Sequence, residues 1–513
     1  MRAQRAYESM EGEDSEDYSE EPPTKSNKKC KVILCCTGCC CCLLILVAAA
    51  YGAWNAFLAS LQPPAANLCS VDASTAYNDA LSLLAEKYAF TEWKGIDWQA
   101  VKKVGLAEAQ SGNIQLAIQK LVGAVADGHV YTDTAPGACN NGRRLIGTAL
   151  AEKKKAIGGG YGITISPLDD GTVIVTYVAP GSSAAEKGVV AGQVVTKLNG
   201  VPIVQAVTAL GEAGWMWSEM NPATADHRLQ EQYRTVVRAP IDTVSTWTLA
   251  ALNIFTPAGD LQLTARDDDY ATWKVTKYSM PNDLDVNKSI QVRTLTSGYG
   301  YIGLGHFEFD EDYKQVFANA VNTLNNTPGI IIDIRGNVGG SDEQAADFNG
   351  LFLPEGSSEV YYEQIAMPVL GEFRTIQEFK SVPTPPFYTK PVVVLVNRGC
   401  ISTCEGVAKG FSALPTSEVV GFEGTSGSFG MAGASVLFNG DFTLQFPFGR
   451  SLDANGNIQV DSNAQLEGGI LPTVRFSRTA NTAKAFIQYK LGKGATDVEL
   501  AEAEAELAKM ISG

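Results

Sequence analysis

The sequence predicts an α/β core of strands and helices, preceded by a helical N-terminal domain and a small β-rich module, with one transmembrane helix near the N-terminus. Three observations carry this. Apolar runs at 300–304, 329–334 and 392–396 are continuous rather than alternating, as in strands covered on both faces. Residues 72–127 instead place apolar side chains at three- and four-residue steps, the helical period. Residues 32–54 hold no charged residue.

The first 31 residues read as a disordered acidic cytosolic tail: eight acidic residues between Glu8 and Glu21 face only Arg2 and Arg5, with little apolar content. As a helix, 32–54 would span ~34 Å, enough for a bilayer core of ~30 Å. Lys25, Lys28, Lys29 and Lys31 stand before the span and no Lys or Arg follows until Lys87. The positive-inside rule then predicts an uncleaved signal anchor, a cytosolic N-terminus and a luminal or extracellular ectodomain. Seven of the 11 cysteines (30, 35, 36, 39, 40, 41 and 42) crowd the cytosolic end of the span and are S-acylation candidates. The other four, Cys69, Cys139, Cys400 and Cys404, suggest disulfides in an oxidising compartment, with Cys69–Cys139 and Cys400–Cys404 the plausible pairing. Asn287 and Asn325 begin glycan acceptor sequences.

The helical domain is assigned to 66–150, with helices at 75–88, 98–109 and 114–125, ending at Asp127-Gly128-His129. Residues 157–206 alternate strand-like runs with Gly, Pro and Asp turns and form the β-rich module. Residues 207–288 are a mixed connecting region. The core is assigned to 289–478, with helices at 312–324 and 405–411 between its strands, and 479–513 to a charged, Ala-rich surface helix. With 513 residues, 45% of them hydrophobic, there is material for about three domains. A formal charge of −16 without a basic, aromatic-interleaved stripe excludes nucleic acid as a partner.

The chemistry concentrates at Asn397-Arg398-Gly399-Cys400-Ile401-Ser402-Thr403-Cys404-Glu405, directly after an apolar strand. A buried strand stops at a glycine turn, and a hydroxyl residue sits where a helix begins. Ser402 is then either a helix N-cap or a nucleophile at the strand's carboxyl end, with the first helical N–H groups aimed at its target. A serine needs a base, and the chain has three histidines, His129, His227 and His306. His227 lies between Asp226 and Arg228 and reads as a solvated surface residue; His306 follows a strand and is a lesser candidate for the base. The turn Gly336-Asn337-Val338-Gly339-Gly340 permits close approach of a substrate. It lacks the Lys-Ser/Thr ending of a phosphate-binding loop, and no His/Cys cluster with zinc spacing occurs, so neither cofactor nor metal is expected. Asp333 and Arg335 read as a structural ion pair.

The segment 329–340, followed some sixty residues later by the Ser402 turn, resembles the tail-specific or C-terminal-processing peptidase family. The resemblance extends over most of the ectodomain. It implies a crotonase-like ββα core and makes 157–206 a PDZ-like module whose peptide-binding loop is Gly160-Tyr161-Gly162-Ile163. Gln193 departs from the Asp common in such modules, at a position that shapes a turn. One branch of the family uses a Ser/Lys dyad, but Ser428 stands here where that lysine belongs. The resemblance is therefore to the tricorn-like branch. It implies Ser402 as nucleophile, His129 as base and Glu467 as its orienting acid, with Gly128 where tricorn has a serine. Oxyanion donors are expected from Thr403 and from Gly339 or Gly340. The expected function is a membrane-anchored serine endopeptidase acting on peptide or protein substrates through an acyl-enzyme. Its rivals are a peptidase using Cys400 or Cys404 as nucleophile and a non-catalytic peptide- or lipid-binding protein on the same fold.

Overall fold

The computed structural model describes residues 63–139, 146–212, 221–276, 281, 289–310, 312–493 and 496–513. Among them no helix is long and apolar enough to cross a membrane. The expected transmembrane helix, the membrane partnership and the single-pass topology built on them are left without support and are withdrawn. Residues 1–62, with the acidic tail, the 32–54 segment and the seven clustered cysteines, lie outside the described residues, as does Asn287. Asn325 is exposed, in the turn after a helix.

The N-terminal helices form where the periodicity places them: α1 (Ala73–Lys87), α2 (Trp98–Gln110) and α3 (Ile114–Ala124). Each starts at a side-chain cap, Asp72, Asp97 and Asn113 accepting N–H groups of the first turn. Tyr77, Leu84, Ile118 and Leu121 pack on Val436, Phe438, Leu444 and Phe446 of a six-stranded sheet that the sequence reading did not foresee. In that sheet Ala65–Leu68 pairs with Met431–Phe438, then come Phe442–Leu452, Val360–Val369 and Glu372–Ser381, and Tyr131–Thr134 also pairs with Phe442–Leu452. That last pairing anchors the chain just after His129.

The small module has β1 (Ile163–Pro167) antiparallel to β2 (Val173–Val178), with α4 (Ala225–Val236) alongside β1. His227 corrects the surface reading: it is buried at the start of α4, and burial holds its imidazole well below the ordinary range. Gln193 is fully buried; its amide oxygen accepts from Val190 N and its amide nitrogen donates to Ala250 and Pro257 carbonyls, the turn-shaping role expected.

The core sheet runs β3 (Ile290–Thr294), β4 (Gly300–Leu304), β5 (Ile330–Asp333), β6 (Val392–Leu395), β7 (Ser417–Gly421), β8 (Val474–Arg475); only the β3–β4 pair is antiparallel. Side chains alternate faces along each strand. Ile330, Ile332, Val392 and Val394 face the phenyl rings carried by α5 (Tyr313–Thr323), α6 (Asp342–Gly350) and α7 (Thr403–Ser412), while Ile331, Val393 and Val420 face the other layer. That second layer corrects the expectation of one C-terminal surface helix. The tail is two helices, α8 (Ala480–Lys490) and α9 (Val498–Ser512), parted near Gly492, and α9 buries Ala503 and Leu507 against the sheet. Buried Arg335 ties α9 down, binding Asp333 at 2.6 Å, Asp497 at 2.7 Å and Glu499 at 2.8 Å.

Candidate active site

Ser402 lies between β6 and α7 as the N-cap of α7, 5% exposed, with φ 63° and ψ −134°. A serine in the left-handed region is strained, and strain of this kind persists only where its surroundings over-determine it. Those surroundings are two interlocked turns. Asn397 Oδ1 accepts the N–H groups of Gly336 and Gly399 at 3.0 and 2.9 Å, and Ile401 N–H donates to the Asn337 carbonyl at 3.2 Å. The Cys400–Cys404 disulfide closes the nucleophile turn, with Cα atoms 5.4 Å apart; Cys69 and Cys139 form the other bond. Both sulfurs flanking Ser402 are therefore consumed, which removes the alternative of a Cys400 or Cys404 nucleophile.

Gly339 packs directly on the serine. A Cβ there would lie 2.8 Å from Ser402 Cβ and 3.0 Å from Thr403 N, and its φ is +89°. Its own N–H, however, donates to Asn337 Oδ1 at 2.8 Å. That N–H is thereby committed within the turn. Gly340 sits against Phe307 with φ +144°, and its carbonyl accepts the Thr403 hydroxyl at 2.9 Å.

His129 is 7% exposed and arrives from the N-terminal domain. Its N–H donates to Asp127 Oδ1, and Asp127 Oδ2 takes the Tyr88 hydroxyl at 2.6 Å. The preceding Gly128 touches the nucleophile turn: a Cβ there would lie 2.6 Å from Ile401 Cδ1, and its N–H donates to Ser428 Oγ at 2.7 Å. Ser428 in turn accepts the Ser402 N–H on its carbonyl at 3.0 Å. The residue standing at the lysine position of the dyad branch thus bridges the histidine and serine segments. His306 is placed otherwise. Its Nδ1 accepts Glu308 N–H at 3.1 Å and its Nε2 meets Ser289 Oγ at 3.1 Å, which occupies both ring nitrogens.

Glu467 lies on a surface loop. It is exposed, and its carboxylate accepts the Asn463 side-chain amide at 3.1 Å. The loop carrying it nonetheless borders the site: Ile470 N–H donates to Thr425 Oγ1 and a Cβ on Gly427 would lie 3.3 Å from Gly469 N. The acid that sequence reasoning missed is Glu405, fully buried under Ser402. Burial lifts its carboxyl to about 7, against the lowering effect of hydrogen bonds from Thr425, Gly427, Ser428 and Ser402. The Ser-x-x-Glu spacing of a capping box was the available signal. Beside it, burial and the nearby Asp127 push the Asp461 carboxyl well up.

The expected peptide-binding loop is largely committed to the module's own backbone. Gly160 pairs with Arg238 and Arg266, Tyr161 N–H donates to Val237 O, and Gly162 O accepts Ala179 N–H. Ile163 pairs with Val178. Beside that loop, a cavity between β1 and α4 is lined by Ile165, Tyr233 and Arg234, and also by core residues Arg398 and Glu423 and by Phe486 of α8.

Residues 298–476 match peptidase family S41 and residues 150–209 match a PDZ domain. No curated protein matches the chain. Among solved structures, mature CPAF complexed with lactacystin is similar at 14% identity and a TM-score of 0.53, over 86% of this chain and 99% of that one. Mature CPAF is similar at 15% identity and a TM-score of 0.52, over 83% and 98%. These likenesses show a shared fold. The family match falls on the core sheet with the Ser402 turn, and the PDZ match on the small module beside it.

Proposed function

We propose that the chain is a serine endopeptidase in which Ser402 is the nucleophile and His129 the base. The observation that carries this is the strained Ser402, held at the junction of β6 and α7 with a glycine Cα against its side chain. In the proposed reaction His129 takes the hydroxyl proton as Ser402 Oγ attacks a peptide carbonyl. The carbonyl oxygen becomes an oxyanion supported by the Thr403 and Gly340 amides. The imidazolium then gives its proton to the departing amine, leaving an acyl-enzyme. Water attacks the acyl carbon, His129 accepts its proton and returns it to Ser402 Oγ.

Glu467 is proposed as the acid that stabilises the imidazolium only after its loop turns the carboxylate away from Asn463. The PDZ module is proposed to take an extended peptide in the groove between β1 and α4. The division proposed is a helical domain at 66–150, the PDZ module at 157–206, a connecting region at 207–288 and the core at 289–478. The packing of α9 on the sheet supports counting 479–513 with that core. The test is labelling by a fluorophosphonate, with the modified residue identified by mass spectrometry. Wild type should be labelled at Ser402, and Ser402→Ala and His129→Ala should not be. Equal labelling of Ser402→Ala would remove the assignment.

A further inference from the structure

Glu405 is the most heavily engaged side chain at the site, and the reaction described above gives it nothing to do. It lies in the first turn of α7, wholly buried. One carboxylate oxygen accepts the Thr425 hydroxyl and the Gly427 N–H, both at 2.6 Å. The other accepts the Ser428 N–H at 2.9 Å and the Ser402 N–H at 3.2 Å. Four donors thus converge from two chain segments, the nucleophile turn and the 425–428 loop. Among the described residues, no direct bond joins these segments to the carboxylate of Glu467.

The consequence lies in what the 425–428 loop holds. Ser428 takes the Ser402 N–H on its carbonyl and the Gly128 N–H on its hydroxyl. Ser426 N–H donates to the Cys400 carbonyl at 2.9 Å, and Ser462 N–H to the Gly427 carbonyl at 3.0 Å. A shift of this loop therefore moves the serine and histidine backbones relative to one another. We propose that Glu405 is a positioning residue that sets the distance between Ser402 and His129, acting through Ser428. The proposal rests on the reading of Ser402 as nucleophile and His129 as base. A carboxylate suits the task because it offers acceptors only, enough for all four donors. An amide would set its own N–H groups against two of them, leaving buried donors unsatisfied.

The experiment measures fluorophosphonate inactivation of the full chain, resolving the limiting rate from the half-saturating concentration, for wild type, Glu405→Gln, Ser428→Ala and the double variant. Displacing a reacting pair by about 1 Å costs about 100-fold in rate. Glu405→Gln should therefore lose about 100-fold in limiting rate with its half-saturating concentration unchanged, whereas a merely structural lesion would lower the active fraction and leave the rate of the remainder intact. Ser428→Ala should lose less, and the double variant should be no worse than Glu405→Gln, because both act on one path. Losses that multiply in full, or a Glu405→Gln enzyme reacting at the wild-type rate, would overturn the proposal. Should Glu405→Gln not fold, Ser428→Ala decides by itself: a wild-type limiting rate there overturns it. Wild type that reacts normally while these variants match it sinks only the positioning role; wild type that does not react at Ser402 sinks the nucleophile reading with it.

Discussion

The nucleophile turn and the 463–470 loop both carry a glutamate toward the same site, and they are built in opposite ways. Glu405 is buried and accepts four hydrogen bonds; Glu467 is exposed and its side chain is held by one neighbouring amide. The turn around Ser402 is over-determined by a disulfide, by Asn397 and by the contact with Gly339. Around Glu467 the backbone is tied to Asn463, Ala225 and Thr425, while the carboxylate itself stays exposed. The contrast separates what must be rigid from what can adjust. Groups that define the attack geometry gain from preorganisation before substrate arrives. An acid that supports a charge forming only during reaction can be recruited late, since such hydrogen bonds often tighten only in the complex.

The largest effect is expected at the base. His129→Ala should reduce the rate of reaction with a fluorophosphonate by about 10⁶-fold. A loss of tenfold or less would mean that His129 is not the base. Next comes the rigid side. Gly339→Ala places a methyl group 2.8 Å from Ser402 Cβ and 2.9 Å from the Ile401 carbonyl at a φ of +89°. It should cost about 100-fold in rate, the scale of displacing a reacting group by about 1 Å. Full activity would show that the turn yields more than its contacts allow. On the adjustable side, Glu467→Gln should cost about tenfold at most, well below the triad acid of serine proteases, which is worth about 10⁴. A loss as large as that of His129→Ala would mean that the loop closes on His129 in the working enzyme.

These effects sit differently against what the sequence revealed. The continuous apolar runs read correctly as buried strands because a doubly covered sheet leaves little room for polar residues. The turn at Ser402 was legible for the same reason: the glycines and the hydroxyl sit where strand gives way to helix. The sheet of Val360–Val369, Glu372–Ser381, Met431–Phe438 and Phe442–Leu452 was not, although its strands are longer than those of the core. The pairing of Val360–Val369 with Glu372–Ser381 carries two register shifts, which break the alternation. His227 was misread because the inner stripe of α4 is itself polar. His227, Glu231 and Arg234 recur at helical spacing, and Glu231 and Arg234 satisfy each other at 3.0 Å. A pattern search that scores only apolar residues sees such a stripe as surface. The pairing of Glu467 with Asn463 is a matter of loop conformation, on which residue identity is nearly silent.

The two disulfides measure the same contrast in stability. In the chain-entropy view a bond closing 70 residues constrains the unfolded chain more than one closing 4. Replacing both Cys69 and Cys139 by serine should cost about 4 kcal/mol, and replacing Cys400 and Cys404 about 2 kcal/mol. The order should invert for reactivity, because only the second bond braces Ser402. Denaturant unfolding and fluorophosphonate kinetics on the same two variants test both halves. Equal reactivity would make the short bond a purely structural one.

The smallest effect expected is a pH dependence of stability, and its sign follows from Glu405. Its carboxyl is raised to about 7 because burial penalises the charged form more than the four donors favour it. The folded state therefore holds that proton more tightly than the unfolded chain. The group's contribution is fully present below the ordinary carboxylate range and is lost as pH rises through about 7. Glu499 is raised to about 7 by burial too, and Asp461 is raised beside Glu405, so the wild-type curve alone assigns nothing. The difference between wild type and Glu405→Gln removes the Glu499 contribution and keeps that of Glu405 with the part of the Asp461 shift it causes. Between pH values of about 5 and about 8, wild type should lose more melting temperature than the variant, since an amide has no proton to release. Parallel curves would mean that Glu405 ionises at its ordinary value, its four donors offsetting the cost of its burial, so that ionising the clamp costs the fold nothing.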